Sequence, residues 1–320
     1  MRSKPSISVI IPVHNGQIIL LKTLHSLQNQ DYPIHQIFTV DDRSTDNSIK
    51  TIEEFKKETR LKLTLIKHKK NRGLAWCYND ALRSIKTTHV ILLMQDCILV
   101  HKDGVRKLIE PFIRKPEVVC TCSQTIHPFR VWRRYNFWQK CLMSRHVDKV
   151  HSGRNNSCCC YSVSALKIIG LFYEKTYRTA GEDADVFNRI GKIGKIVDVD
   201  VLVEHRHTLD PHFSLKDFIR KENQRAEAVG ATLLVNRQRN FIQILQIFAR
   251  PTMIFGLLIP STKTIYILII ILYSYFYTQK VYGTEWKNPK IIILPFINCY
   301  LLVSWIFYFF RGAFSRRQKL

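Results

Sequence analysis

Between His89 and Val100 the sequence reads HVILLMQDCILV, and its first half constrains the fold more than any other stretch. Val90 to Met94 form an unbroken apolar run, with Lys86-Thr87-Thr88 before it and Gln95-Asp96-Cys97 after it. A run this short with no polar face reads as a strand covered on both sides, as in a parallel sheet flanked by helices. Its polar end then lies at the carboxyl edge, where open α/β sheets hold their ligands. Asp96 is therefore placed either to hold a metal ion or a ligand hydroxyl, or simply to cap a turn.

The flanking chain repeats the pattern. Ile7 to Val13 is a second buried-strand run ending at His14-Asn15-Gly16, and apolar spacing predicts a helix from about Gln17 to Gln28. Gln36 to Val40 predicts a strand that stops at Asp41-Asp42-Arg43-Ser44-Thr45-Asp46-Asn47-Ser48, a cluster of turn and N-cap residues opening a helix through Glu58. A strand at Leu61 to Lys67, a helix from Asn71-Arg72-Gly73 to Ile85, a helix near Asp103 to Arg114 and a strand at Val118 to Ser123 complete a β-α alternation. Such alternation argues for a doubly wound, mostly parallel α/β sheet. It brings the loops carrying His14, Asp42 and Asp96 to one edge. Neither GxGxxG after the first strand, where the sequence is PVHNGQ, nor GxxxxGK[ST] occurs, which removes most support for a dehydrogenase or a P-loop ATPase.

Charge and cysteine usage narrow the setting. The net charge of +24 over 320 residues points to anionic partners. The nine cysteines include the consecutive Cys158, Cys159 and Cys160 and show no CxxC pair. They suit free thiols better than a disulfide or zinc framework. The apolar part of MRSKPSISVIIPVHNG is too short for a signal peptide, so the soluble part is expected in the cytoplasm.

Five motifs in order resemble family-2 glycosyltransferases of GT-A fold, over roughly residues 5 to 235. They are ISVIIPVHN, VDDRSTDNS, NRGLAWCYNDAL, LLMQDCIL and GEDADVF. The resemblance implies a nucleotide-sugar donor and one-step transfer with inversion. It implies donor contacts at Pro12, Val13, His14, Asn15, Asp42, Arg72, Gln95 and Asp96. It also implies a divalent cation, Mg²⁺ or Mn²⁺, on Asp96 and on a histidine of the His205/His207 pair, His205 first. Asp183 matches the general base; Glu182 beside it and Trp132 are expected on the acceptor side. Met94 stands where the family's Asp-x-Asp motif has its first Asp, and the Gln95-Asp96 form is similar to rhamnosyltransferase-like relatives. Gly16 stands where many relatives carry Glu.

The residue types suit the chemistry without the family. A departing nucleoside diphosphate concentrates negative charge that a carboxylate-held cation offsets. A carboxylate within reach of the acceptor hydroxyl removes its proton, an effect of about 10²- to 10⁴-fold. Read singly, Asp42 and Asp46 also fit an Asx turn and an N-cap, Glu182 and Asp183 first-turn acids, and the two histidines packing residues.

Phe129 to Arg154 interleaves Arg130, Arg133, Arg134, Lys140, Arg145, Lys149 and Arg154 with Trp132, Tyr135, Phe137 and Trp138. That composition suits nucleic acid or an anionic lipid surface, and the apolar runs that follow favour lipid. A nucleic-acid reading leaves Asp42, Asp96 and Asp183 unexplained. Met253 to Tyr277 carries one charge, Lys263, and Ile291 to Phe310 carries none. Both are long enough to cross a hydrocarbon core of about 30 Å, and Pro260, Ser261 and Lys263 leave the first open to a shorter span beginning near Thr264 after a kink. Arg237, Arg239 and Arg250 before them and Arg311, Arg316, Arg317 and Lys319 after them put both ends in the cytoplasm.

The expected organisation is a GT-A domain over 1–236, an interfacial segment over 237–252 and a transmembrane hairpin with a basic tail over 253–320. The expected activity is a membrane-anchored transferase of cell-envelope glycan biosynthesis, acting on a lipid-linked or polysaccharide acceptor. The alternative is a catalytically silent sugar-nucleotide-binding scaffold, suggested by Met94.

Overall fold

The computed structural model describes residues 5–175, 181–235 and 241–314. Two compact units emerge, one of Met1–Pro128 with Asp148–Thr208, the other of Phe129–Val147 with Leu209–Leu320. In chain order the first unit begins β1 (Ile7–Val13), α1 (Leu20–Gln28), β2 (Gln36–Asp41), α2 (Ser48–Glu58), β3 (Leu63–Lys67) and α3 (Leu74–Leu82). Next come β4 (His89–Leu93), β5 (Cys97–Leu99), α4 (Gly104–Arg114) and β6 (Val118–Ile126). Helices α5 (Phe129–Trp132) and α6 (Phe137–Met143) belong to the second unit. The first resumes with β7 (Val150–Ser152), β8 (Cys158–Ser162), α7 (Val163–Ile168), α8 (Glu182–Ile190) and β9 (Lys195–His205).

The strands form one sheet in the order β3-β2-β1-β4-β8-β6-β9-β5, with β7 on β6. The stretch β3-β2-β1-β4 is parallel, as the β-α alternation requires. Beyond it the sheet is mixed: β4-β8, β8-β6 and β9-β5 are antiparallel and β6-β9 parallel. Period-2 alternation divides the side chains between two cores. Ile7, Val9 and Ile11 meet α1, α2 and α4 on one face, and Ile10 meets α3, α7 and α8 on the other. The Cys158-Cys159-Cys160 run is a central strand whose residues alternate between those cores. Burial raises the Cys158 thiol to about 12 and holds Cys160 well above the ordinary thiol range. They are packing residues.

The sheet must curl. Four strand spacings of about 4.8 Å separate β4 from β5 in a flat sheet, roughly 19 Å. Yet the four Cα steps from Leu93 to Cys97 span at most about 14 Å. Curling brings β5 round to β9, and Asp96 lies in the link between β4 and β5.

The second unit also contains α9 (Leu215–Val235), α10 (Phe241–Phe255), α11 (Lys263–Tyr277), α12 (Gln279–Thr284) and α13 (Leu294–Phe314). Its core joins Trp132, Tyr135, Phe137, Trp138 and Met143 to Phe218, Tyr277, Val281 and Leu301. The basic-aromatic segment was expected to lay its rings on lipid. Instead those rings pack inward, because their spacing on α5 and α6 puts them on one face against α9.

Pro289–Phe314, 26 residues with 28% of its most apolar stretch buried, is long and apolar enough to cross a membrane. The run from Met253 does not form a comparable span. It breaks at Ile259–Thr262 around Pro260, and α11 keeps 15 residues, about 22 Å of helix. The expected boundary at 236/237, the first residues of the interfacial segment (237–240) and the basic tail at Arg316, Arg317 and Lys319 lie outside the described residues.

Candidate active site

The β1 and β2 loops are stitched together at the carboxyl edge. Asn15 Oδ1 accepts from Thr45 N at 2.8 Å, and the Asp46 carboxylate accepts from Gln17 N at 3.0 Å. The N–H groups of Asn15 and Gly16 donate to the hydroxyls of Ser44 and Ser48. Pro12 and Val13 are buried within β1 and face no solvent; they fix where the loop starts. His14 and Asn15 are exposed.

Gln95 joins this loop to the one after β4. Its Oε1 accepts from His14 N at 2.9 Å and its Nε2 donates to His14 O at 3.0 Å. The amide lies so close to Gly16 that a Cβ there would meet Gln95 Oε1 at 2.4 Å. Glycine at 16 and glutamine at 95 are therefore one device, which accounts for two departures from the family pattern together. Gln95 was expected to touch the donor; in the structure both ends of its side-chain amide are engaged by the His14 backbone.

Asp42, 4% exposed, organises the segment after β3. Its oxygens accept from Arg72 N at 2.8 Å, Gly73 N at 2.7 Å and His68 Nδ1 at 2.8 Å. Backbone amides and an imidazole thus take the oxygens that were expected to receive a donor base. His68 reaches Asp80 with its other nitrogen at 3.0 Å, and Arg72 reaches Asp80 at 2.9 Å. The Arg72 guanidinium stacks on Trp76 at 3.4 Å, a cation–π contact that fixes its plane. A cleft of about 1190 Å³ opens here, lined by Lys67, Lys69, Lys70, Arg72 and Lys175 among others. Its cationic wall suits a nucleotide or another phosphate-bearing ligand.

Asp96 sits under the end of β9. Its oxygens lie 3.2 Å from His205 Nε2 and 3.3 Å from His207 Nδ1, and its carbonyl accepts from Arg206 N at 2.8 Å. Burial alone would push the Asp96 carboxyl up; the two histidines outweigh it and hold it well below the usual carboxylate range. Pairing of Cys97 with His205 across β5-β9 makes this meeting obligatory. The sequence reading did not identify His127, which stacks on His205 at 4.9 Å and His207 at 5.3 Å between ring centres. A carboxylate with adjacent imidazoles is a donor set that a divalent transition-metal ion accepts. Met94 carries no ligand atom for a hard cation; it packs on the core and receives the Tyr78 hydroxyl at 3.5 Å.

Gly181, at φ 102°, opens α8 and sets Glu182 and Asp183 in its first turn. Burial raises both carboxyls, and the charge of Asp183 adds to the effect on Glu182, which reaches about 7. Both acids also act on the buried Tyr78 phenol, pushed up mainly by its burial. Through Tyr78 and Met94 they connect to the link that bears Asp96. A raised carboxylate is suited to taking a proton near neutral pH. Trp132, expected on the acceptor side, is 1% exposed in the second unit's core, its indole N–H donating to Lys140 O at 3.0 Å.

Comparison with known proteins bears on this site. Residues 8–168, half of the chain, match the family model described as glycosyl transferase family 2. Two curated relatives are the uncharacterized glycosyltransferase YfnE of Bacillus subtilis, 27% identical over 57% of this chain, and a poly(ribitol-phosphate) beta-glucosyltransferase of Bacillus spizizenii, 30% identical over 28%. The matches cover only 40% and 14% of those relatives, so the chain spans less than half of their length. The mannosyltransferase PcManGT of Pyrobaculum calidifontis, solved with GDP-Man and Mn²⁺, superposes with a TM-score of 0.60 at 14% identity. That superposition covers 98% of this chain and 89% of the other, which shows a shared GT-A fold.

Proposed function

The chain belongs to glycosyl transferase family 2, and on that premise we propose that it moves a hexosyl or deoxyhexosyl group from a nucleoside-diphosphate sugar to an envelope-glycan acceptor in one inverting, cation-dependent step. The observation that carries this reading is Asp96 held between His205 and His207, with the raised pair Glu182 and Asp183 opening α8. Asp96, His205 and His207 would hold Mg²⁺ or Mn²⁺, which when bound offsets the charge of the departing diphosphate. The Arg72 and Lys70 wall holds the nucleotide end, His14 and Asn15 border the donor, and Asp183 takes the proton of the attacking hydroxyl as the new glycosidic bond forms. Burial raises both carboxyls, so the pair gives up its second proton at higher pH than two exposed acids would.

The acceptor is a lipid-linked saccharide or a phosphate-bearing polysaccharide. A relative named for poly(ribitol-phosphate) supports that class, as does the cationic cleft. The uncovered apolar faces of α11 (Leu268, Leu272, Phe276) and α13 (Val303, Phe307, Phe314) support anchoring at a membrane, with the catalytic unit on the cytoplasmic side by the positive-inside rule.

The test is purified full chain in detergent with a panel of nucleotide sugars, Mn²⁺ or Mg²⁺, with and without membrane lipid extract, scored by nucleoside-diphosphate release. Release that needs the extract and drops at least about 10²-fold in Asp183→Asn is expected. Donor binding with no release under any combination would establish a silent binding protein instead.

A further inference from the structure

We propose that His127 is a ligand of the divalent ion together with Asp96, His205 and His207, and that this imidazole-rich set selects a borderline transition-metal ion over Mg²⁺. The inference rests on the cation-dependent reading above and goes beyond it by adding a ligand and a metal class.

Met94 leaves the β4-β5 link with one carboxylate, and a lone carboxylate with water holds Mg²⁺ weakly. The sheet supplies a replacement by register. In the parallel pair β6-β9, Ile126 lies opposite Glu204, so the next residues, His127 and His205, emerge side by side. On the other flank of β9, Cys97 lies opposite His205, so Asp96 emerges there too. Two adjacent strands and one link thus deliver three imidazoles and a carboxylate to one point.

Distances agree with a shared ion. The closest ligand atoms of His127, His205 and His207 all lie within 4.8 Å of one another. Donors about 2.1 Å from a common ion are at most about 4.2 Å apart, so small ring rotations close the set. The rings are stacked or tilted on one another, with His205 and His207 centroids 4.2 Å apart, and Asp96 sits beside two of them.

Donor chemistry then decides the metal. Oxygen sets suit Mg²⁺, and imidazole shifts preference along the first-row series toward Fe²⁺, Co²⁺ and Zn²⁺. A six-coordinate ion held by these four side chains would keep room for oxygens of the donor substrate.

Full-length protein in detergent is titrated with Co²⁺ alone and followed by visible absorption, and with Mn²⁺ alone followed by pulsed EPR for nitrogen couplings. Wild type, His127→Ala, His127→Gln and His205→Ala are compared. The expected result is a Co²⁺ band whose energy changes in both His127 variants, binding at least about tenfold weaker in each, and no displacement by a hundredfold excess of Mg²⁺. Displacement of Co²⁺ from wild type by that Mg²⁺ excess overturns the metal class without any variant, so a folding failure of His127→Ala does not block the test. An unchanged band and affinity in the His127 variants, with loss in His205→Ala, overturns His127 as a ligand and leaves the cation-dependent reading standing. No Co²⁺ or Mn²⁺ binding to wild type overturns both.

Discussion

Replacing Glu182 by Gln should stabilise the protein, and only above a defined pH. The Glu182 carboxyl is 7% exposed and stands beside Asp183 at the start of α8. Burial, then the neighbouring charge, raises it from its ordinary 4.5 to about 7. Between those values the folded chain keeps a proton that the unfolded chain releases, so stability falls as pH rises through the window. The interval at 1.36 kcal/mol per pH unit amounts to about 3 kcal/mol, an upper figure because the two acids titrate together. Glu182→Gln removes the group that must ionise. Variant and wild type should therefore match near pH 5, and the variant should gain up to about 3 kcal/mol by pH 8.5. For a domain of this size that is roughly 6–12 °C in Tm. The assay is thermal unfolding of the full chain in detergent from pH 5 to 8.5, followed by near-UV circular dichroism. A difference that stays constant across the range, or a variant less stable at pH 8.5, refutes the reasoning. A stability gain on removing a buried acid is the mark of a group kept for its task.

Two further substitutions test packing that the chemistry depends on. Gly16→Ala places a methyl 2.4 Å from Gln95 Oε1 and should cost about 1–3 kcal/mol and raise the KM for donor, whereas adding Gln95→Ala should recover much of the stability; additive losses in the double-variant cycle would refute a shared device. Gly312→Ala in α13 brings a Cβ within 2.0 Å of the Glu227 carbonyl of α9, a backbone atom that cannot swing aside, so the helix pair should separate and the detergent melting temperature should fall; an unchanged melt refutes the close crossing.

What the sequence disclosed follows the range of the interactions involved. Period and turn chemistry are local, so β1 to β4 and α4 emerged close to their observed bounds, the short β5 excepted, and with them the edge bearing His14, Asp42 and Asp96. The other half of the sheet depends on pairing between distant segments. Nothing near Val118 says that β6 will lie parallel to β9, or that β8 will run antiparallel to β4. His127 was invisible for that reason; the available signal was a histidine a few residues past a predicted strand, in a chain with His205 after another. Asp42 was legible as a donor-site acid or an Asx-turn residue but not as the acceptor of two loop amides, because the loop that donates them is thirty residues away. For the run from Met253 the sequence left two forms open, and the structure has the shorter one, α11 starting at Lys263 beyond a break around Pro260. The aromatic residues of α5 and α6 misled, since one apolar face serves a lipid surface and a protein core equally well, and only the presence of α9 decides.

The curl of the sheet unites these cases. Because the link from Leu93 to Cys97 is too short to reach a flat neighbour of β9, the strand order itself forces the carboxylate of Asp96 against whatever residues end β9 and β6. Chemistry at that point is thus set by two strand ends, His205 and His127, more than by the local motif around Asp96. On the reading proposed above, a chain with this topology that has Met94 in place of the first acid of its link draws its cation ligands from the neighbouring strands. Changing the residue at 127 or 205 should alter which ion binds, whereas changing Met94 to Ala should alter only how Tyr78 packs.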